Sequence, residues 1–294
     1  MRTIDLHCHG ALGHAFDDAD EAGVDAAVAY HRAHGSDRVV LSLVSAPIEQ
    51  LTQRLKQLQT IVPNVRGAVG VHLEGPFLAE GSHGAHDPRW LTTPTPAAVE
   101  ALLDAGTGIL RQITIAPELP GALEAISTFT SAGVVVAVGH TAATYETTSE
   151  AFDRGARALT HTFNAMPGLH HRDPGPVGAA LQRDDIVLEI IADGMHVHPV
   201  LIRTLFQAAP GRIALITDSI SATGLGDGDY VLGGLPVSVS GGRPNLTGTS
   251  TLAGSTLTLR KAIEVGISAG IAEQLLLEAV TSVPAGLLTQ SRIV

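Results

Sequence analysis

Short runs of apolar, β-branched residues alternate along the chain with longer Ala-, Leu- and Glu-rich stretches whose apolar positions recur at helical spacing. The runs predict eight strands, over 3–7, 37–44, 66–73, 109–116, 133–139, 158–162, 186–192 and 212–217. Val134-Val135-Val136-Ala137-Val138 is representative. It is apolar at successive positions, as a strand covered on both faces of a parallel sheet must be. Helices are predicted over 21–34, 48–60, 96–105, 119–132, 144–154 and 199–208, with two more over 255–265 and 272–280. The third is signalled most fully, by Thr95 as cap, Pro96 at the first helical position and Gly106 at the end.

Eight strands with helices between them predict an α/β chain folded as a (β/α)8 TIM-type barrel, one catalytic domain over 1–294. The alternative is an open doubly wound sheet, but no glycine-rich fingerprint follows the first strand. Residues 222–254 break the rhythm. They are Gly-rich with β-like runs at 230–232 and 236–239, and read as a β-rich insertion over the barrel mouth or as a mobile loop.

Composition narrows the function classes. A chain of 294 residues that is 45% hydrophobic and 16% charged is no disordered tail. A net charge of −11, 3% aromatic residues and no Lys/Arg run exclude a nucleic-acid surface. One cysteine, Cys8, excludes an intrachain disulfide and fits a reducing compartment. No signal-peptide pattern and no apolar run of the roughly 18–20 residues that span a membrane is visible, so the expected location is the cytoplasm, without membrane partners. Fourteen His against two Lys bias the chemistry toward imidazole.

Almost every predicted strand ends in a group that ligates metal or moves a proton. In order these are His7-Cys8-His9, His72-Leu73-Glu74, Gly139-His140, Thr160-His161, Asp193-Gly194-Met195-His196 and Thr217-Asp218. In a barrel the C-terminal strand ends share one face, where active sites are built. Each signal alone has a plainer meaning. Glu74 could pair with Arg66 or Arg89, His140 and His161 could be hydrogen-bonded core residues, and Asp218 could cap a helix. His-x-His puts two imidazoles on one side of a strand, where they can share a metal. Cys8, between them, then points away and packs as a neutral thiol.

These segments resemble the N-acetylglucosamine-6-phosphate deacetylase family of the amidohydrolase superfamily. The resemblance rests on Ile4-Asp5-Leu6-His7-Cys8-His9-Gly10, His72-Leu73-Glu74-Gly75-Pro76-Phe77, Gly84-Ala85-His86, Gly139-His140-Thr141, Thr160-His161-Thr162-Phe163-Asn164-Ala165-Met166, Ala192-Asp193-Gly194-Met195-His196, Ile216-Thr217-Asp218 and Leu252-Ala253-Gly254-Ser255. The resemblance implies a metal-dependent hydrolase that removes acetyl from N-acetylglucosamine 6-phosphate, with the galactosamine epimer or another acyl-amino-sugar as alternative substrate. The alternative of another class is a catalytically silent sugar-phosphate-binding protein, against which the intact ligand set and Asp218 stand.

Carried over by residue, the resemblance implies one divalent metal on Glu74, His140 and His161, and a second on His7 and His9 with Glu74 bridging. Zinc is the first expectation, with Fe, Mn or Co as alternatives. Asp218 would be the general base and acid, and His196 would steady the carbonyl oxygen. His86, Asn164, the Ala165 backbone and Arg172 would clamp the sugar phosphate, with His196 also touching substrate. A homodimer is implied, because an Arg and a His at such positions reach across an interface in this family. His83, His170 and His171 read as rim residues. Ser219 stands where family members commonly carry Ala. Family members also have a small β-sandwich formed before the His-x-His strand and after the last helix, and this chain is expected to be the barrel without it.

Overall fold

A computed structural model of the chain describes residues 2–290. Met1 and residues 291–294 of the expected domain lie outside the described residues. Eight parallel strands form one sheet in sequential order: Ile4–Cys8, Arg38–Leu43, Ala68–Glu74, Leu110–Ile115, Val135–Val138, Ala158–Leu159, Val187–Ile191 and Ile213–Ile216. They are called the first to eighth strands below. The sheet closes on itself just beyond the eighth strand. The amide of Asp218 donates to the His7 carbonyl at 2.8 Å, and that of His9 to the Ser219 carbonyl at 2.7 Å. Cys8 and Ser219 pair in parallel register. The barrel is therefore sealed by the same residues that end in the candidate chemistry.

Nearly all strand residues are buried, which is why their sequences lack polar alternation. The outer layer of helices lies close to the expected positions, for example Glu21–Ala33, Ile48–Ile61 and Pro96–Ala105. Thr95 caps the last of these by accepting from the Ala98 amide, with Pro96 behind it and Gly106 at its end. Two helices have no counterpart in the periodicity. Gly175–Leu181 opens on Gly-Pro, which reads as a loop, yet Pro is tolerated in a first turn whose amides lack partners anyway. Ser282–Gln290 also contains Pro and Gly.

The sixth strand is shorter than the predicted 158–162. At His161 the backbone turns left-handed, with φ 25°, and leaves the ladder. The insertion is more ordered than a hairpin or a loop. Gly228–Leu232, Leu235–Ser240 and Arg243–Leu246 form a three-stranded antiparallel sheet. It has its own small core, in which Leu232, Val237 and Val239 pack with Val44, Ile220, Ala222 and Ala253.

Candidate active site

Side chains alternate along a strand, so residues two apart share a face. His7 and His9 therefore both enter the barrel mouth, with Nε2 atoms 3.0 Å apart, while Cys8 turns outward and packs 3.2 Å from His31. Glu74, at the end of the third strand, is 4% exposed and sits at the centre. Its Oε1 lies 3.3 Å from His7, 3.1 Å from His140 and 3.0 Å from His161. Its Oε2 lies 3.1 Å from His9 and 3.2 Å from His86. Asp218 Oδ1 is 3.3 Å from both His7 and His9. The ion pairs of Glu74 with Arg66 or Arg89 do not form: Arg89 holds Asp87, and Arg66 lies at the opposite end of the third strand.

The backbone carries the strain of aiming these groups. His140, His161 and Asp218 all have left-handed φ, at 48°, 25° and 51°. Such conformations cost roughly 1–3 kcal/mol each in non-glycine residues and concentrate at functional sites. Neighbouring glycines make room. A Cβ on Gly139 would sit 2.6 Å from Thr160 Cβ, and one on Gly254 would sit 2.8 Å from the Asp218 carbonyl.

The tautomers can be assigned from partners. His140 Nδ1 donates to the Ser82 carbonyl at 2.9 Å, which leaves Nε2 as a bare lone pair. That lone pair faces Glu74 Oε1 at 3.1 Å and His161 Nε2 at 2.9 Å. A lone pair against an anionic oxygen is repulsive unless a cation lies between. The donor spacings of 2.9–3.3 Å match the edge of about 3.3 Å for a tetrahedron with ligand bonds of about 2.0 Å. Two donor groups, His7/His9/Glu74/Asp218 and Glu74/His140/His161, share Glu74. The residues therefore fit one or two divalent cations with Glu74 common to both. His86 differs. Its Nδ1 accepts from the Ser45 amide at 3.1 Å, so its proton is on Nε2 and is donated to Glu74. It holds the carboxylate rather than offering a lone pair.

The cluster's charge is balanced internally. Burial pushes the His7 and His9 imidazoles down, but Glu74 and Asp218 outweigh it. His7 ends well above its ordinary value and His9 at about 9. Burial would raise Glu74 and Asp218, but the facing imidazoles bring both below the ordinary carboxylate range. A cation held by these nitrogens would need their lone pairs free, so its binding would release protons.

The mouth holds a cavity of about 580 Å³, lined by His9, Glu74, His86, His140, His161, Asn164, Ala165, His196 and Asp218, with Leu232, Arg243 and Thr251 from the insertion side. His196 is fixed by Asp193, whose Oδ2 is 2.7 Å from Nδ1 and whose Oδ1 accepts the Met195 and His196 amides. Asn164 bonds back to the His161 carbonyl at 3.0 Å. Arg172 does not join the other predicted clamp residues within this chain. It is exposed, its guanidinium is 2.7 Å from His171, and it does not line this cavity. It follows the irregular segment after His161, which carries it outward. Arg243 lines the cavity instead and has no ion pair among the described residues.

Sequence reasoning missed three further groups. Asp193 lies in a quoted motif but had been given no role. Arg243 lies in the insertion, where no periodicity points inward. Glu189, on the seventh strand, is fully buried below the cluster. Its Oε2 is 3.8 Å from His7 Nδ1, and its Oε1 accepts from Gln112 at 2.8 Å. A carboxylate inside an apolar strand was the signal that found Glu74, and Glu189 carries the same one.

Residues 3–273 match the Amidohydrolase family model. The chain is 37% identical over 264 residues to the N-acetylglucosamine-6-phosphate deacetylase of Vibrio furnissii, covering 89% of this chain and 66% of that protein. It is 39% identical to the N-acetylgalactosamine-6-phosphate deacetylase of Escherichia coli, covering 88% of this chain and 70% of that protein. The chain thus spans about two thirds of the length of these curated relatives. Among solved structures, a mutant N-acetyl-D-glucosamine-6-phosphate deacetylase from Mycobacterium smegmatis, in complex with N-acetyl-D-glucosamine-6-phosphate, superposes with a TM-score of 0.95. It is 41% identical and covers 98% of this chain and 77% of that one. With its strand-end ligand set, its barrel and these relatives, the chain belongs to the amidohydrolase family, in the branch of the N-acetylglucosamine-6-phosphate deacetylases.

Proposed function

We propose that this chain hydrolyses the acetamide of N-acetylglucosamine 6-phosphate, giving acetate and glucosamine 6-phosphate. The observation that carries the proposal is the bare Nε2 of His140, aimed with His161 Nε2 at one oxygen of Glu74. Glu74, His140 and His161 would hold one divalent cation, and His7 and His9, with Glu74 and Asp218, a second. Zinc suits the mixed imidazole and carboxylate donors, as do Fe, Mn and Co. Such a cation supplies polarisation of the amide carbonyl and brings the pKa of water toward about 7.

The protein's own groups do the rest. Asp218 accepts a proton from the attacking water as the C–O bond forms. It passes that proton to the amide nitrogen as the C–N bond breaks, so that a neutral amine departs. Asp193 holds His196 Nδ1 at 2.7 Å and so orients the ring in the cavity, where it would steady the developing oxyanion. Asn164 and the Ala165 backbone line the sugar end of the cavity. Arg243 supplies an in-chain cation for the 6-phosphate, while the outward Arg172 is placed to serve a second copy of the chain, as a homodimer would use it. We read the barrel as one catalytic unit, with 222–254 over its mouth. No described helix is long and apolar enough to cross a membrane, which fits the expected cytoplasmic setting.

The N-acetylgalactosamine epimer is the second reading, favoured by the 39% identity to a relative of that name. The test is acetate release from both 6-phosphates by metal-loaded protein, with and without chelator. Release that stops with chelator and returns with metal supports the proposal. No release from either sugar would sink it. Arg243→Ala should raise KM for the phosphorylated sugar about tenfold; an equal loss on unphosphorylated N-acetylglucosamine would argue against phosphate contact.

A further inference from the structure

The opposite end of the barrel carries a second cavity that the chemistry above leaves unused. It has a volume of about 960 Å³ and lies where the first four strands begin, around Ile4, Arg38, Ala68 and Ile109. The third strand, Ala68–Glu74, runs seven residues from this floor to the active site, about 20 Å at roughly 3.3 Å per residue.

Five arginines line it: Arg2, Arg32, Arg38, Arg66 and Arg111. The chain has sixteen arginines and a net charge of −11, so a cluster of five runs against its overall balance. Among the described residues the sole carboxylate on the lining is Asp37, and its Oδ2 already accepts the Thr3 amide at 3.1 Å. None of the five forms an ion pair among the described residues. Their one side-chain hydrogen bond runs from Arg111 Nε to the Val69 carbonyl at 3.0 Å. Arg111 and Arg32 are held over the start of the third strand. A Cβ on Gly70 would overlap Arg111, and one on Gly67 would sit 2.5 Å from Arg32 Cδ, so these two side chains run across glycine backbone. A helix C-terminus accounts for Arg32, which lies in the last turn of Glu21–Ala33. It accounts for none of the other four.

Like charges gathered round a concavity repel one another, and an anion relieves that repulsion. Guanidinium matches phosphate through its planar fork of donors. Five cations against one engaged carboxylate leave a local excess of about four charges, which a single phosphate of about −2 does not neutralise. We propose that this floor cavity binds a compact polyphosphate, free or carried by a nucleotide. The concave form favours a small ligand over an extended nucleic acid, which would need a stripe of cations and stacking rings.

The test is calorimetric titration of metal-loaded protein with tripolyphosphate, orthophosphate and a nucleoside triphosphate. Three proteins are compared: wild type, Arg38→Gln/Arg66→Gln and Arg172→Ala. Metal capture by the probe contributes equally to all three, so differences between them report the cavity. One tripolyphosphate per chain is expected in wild type and in Arg172→Ala, at least tenfold tighter than orthophosphate and weakened by salt. The double variant should lose tenfold or more. A nucleoside triphosphate that binds at least as tightly supports a nucleotide source, and weaker binding supports free polyphosphate. Equal binding in the double variant, its loss in Arg172→Ala, or tighter binding of a single-stranded oligonucleotide would overturn the proposal. A second readout needs no variant. Tripolyphosphate should shield Arg38 and Arg66 of wild type from phenylglyoxal while leaving Arg243 reactive; undiminished modification of Arg38 and Arg66 also overturns it.

Discussion

The two ends of the barrel handle charge in opposite ways. At the mouth, imidazoles and carboxylates from five strands converge within 2.9–3.3 Å of one another, each sign facing the other. At the floor, among the described residues, five guanidiniums line a cavity with one carboxylate, already engaged. At the mouth, one divalent cation replacing the protons of His7 and His9 would leave the net charge unchanged, and a second would add two positive charges. The floor can reach balance only by taking in an anion. The difference suits the roles proposed for the two ends, one to hold reacting atoms in fixed geometry and the other to gather charge.

The comparison can be broken at its centre. Glu74→Ala removes the carboxylate common to both donor groups. Bound metal should fall to background by elemental analysis, and acetate release with it. Full metal content in that variant would show that the mouth does not depend on its shared anion.

Asp218→Asn is a subtler break, because the shape is kept and only the proton acceptor is lost. The expected effect is a fall in kcat of at least about 10³, with metal retained at the Glu74/His140/His161 group. A loss of less than tenfold would remove Asp218 from proton transfer.

Glu189 sharpens the comparison by extending the mouth's charge pairing one layer inward. Its Oε2 faces His7 Nδ1, and neither atom has another hydrogen-bond partner among the described residues. Glu189→Gln should weaken metal retention by His7 and His9 about 10–100-fold in a chelator competition, with the other donor group unaffected. Unchanged affinity at both groups would make Glu189 a bystander.

The smallest effect is in the wall behind His7 and His9. Burial pushes His31 down to about 4, while its Nε2 bonds the Gly10 carbonyl at 3.0 Å. The unfolded imidazole titrates near 6.5. Between pH 6.5 and 4 the unfolded chain therefore binds the extra proton. Stability from this residue is full above pH 6.5 and is lost as pH falls toward 4, by about 3 kcal/mol. Denaturant unfolding at pH 7 and pH 4.5 should show a smaller acid loss in His31→Gln than in wild type. An identical loss would exclude His31 as a contributor.

Legibility in the sequence tracked how local each cause was. Strands buried on both faces advertise themselves by unbroken apolar runs, and all eight were found within a few residues. Glu74 stood out because a carboxylate ending such a run needs a partner. His161 and its strand end were blurred, because the left-handed turn that aims the ring is imposed by the barrel. Arg243 was hidden in a Gly-rich segment, where a three-stranded sheet pairs residues through backbone bonds that leave no periodic mark. The outward course of Arg172 was equally hidden, because where an irregular segment carries a side chain is set by packing far along the chain.

By itself, then, the sequence determined the barrel and named the strand-end imidazoles and carboxylates that gather at its mouth, since apolar periodicity and donor chemistry are properties of neighbours in the chain. Only the tertiary structure decided the rest. It made Glu74 the carboxylate shared by both groups, and turned the His140 lone pair inward through the Ser82 carbonyl. It also brought Arg243 to the mouth and gathered five arginines spread from position 2 to 111 around one floor. Each of these depends on distances between residues far apart in sequence, which are fixed when the eight strands close.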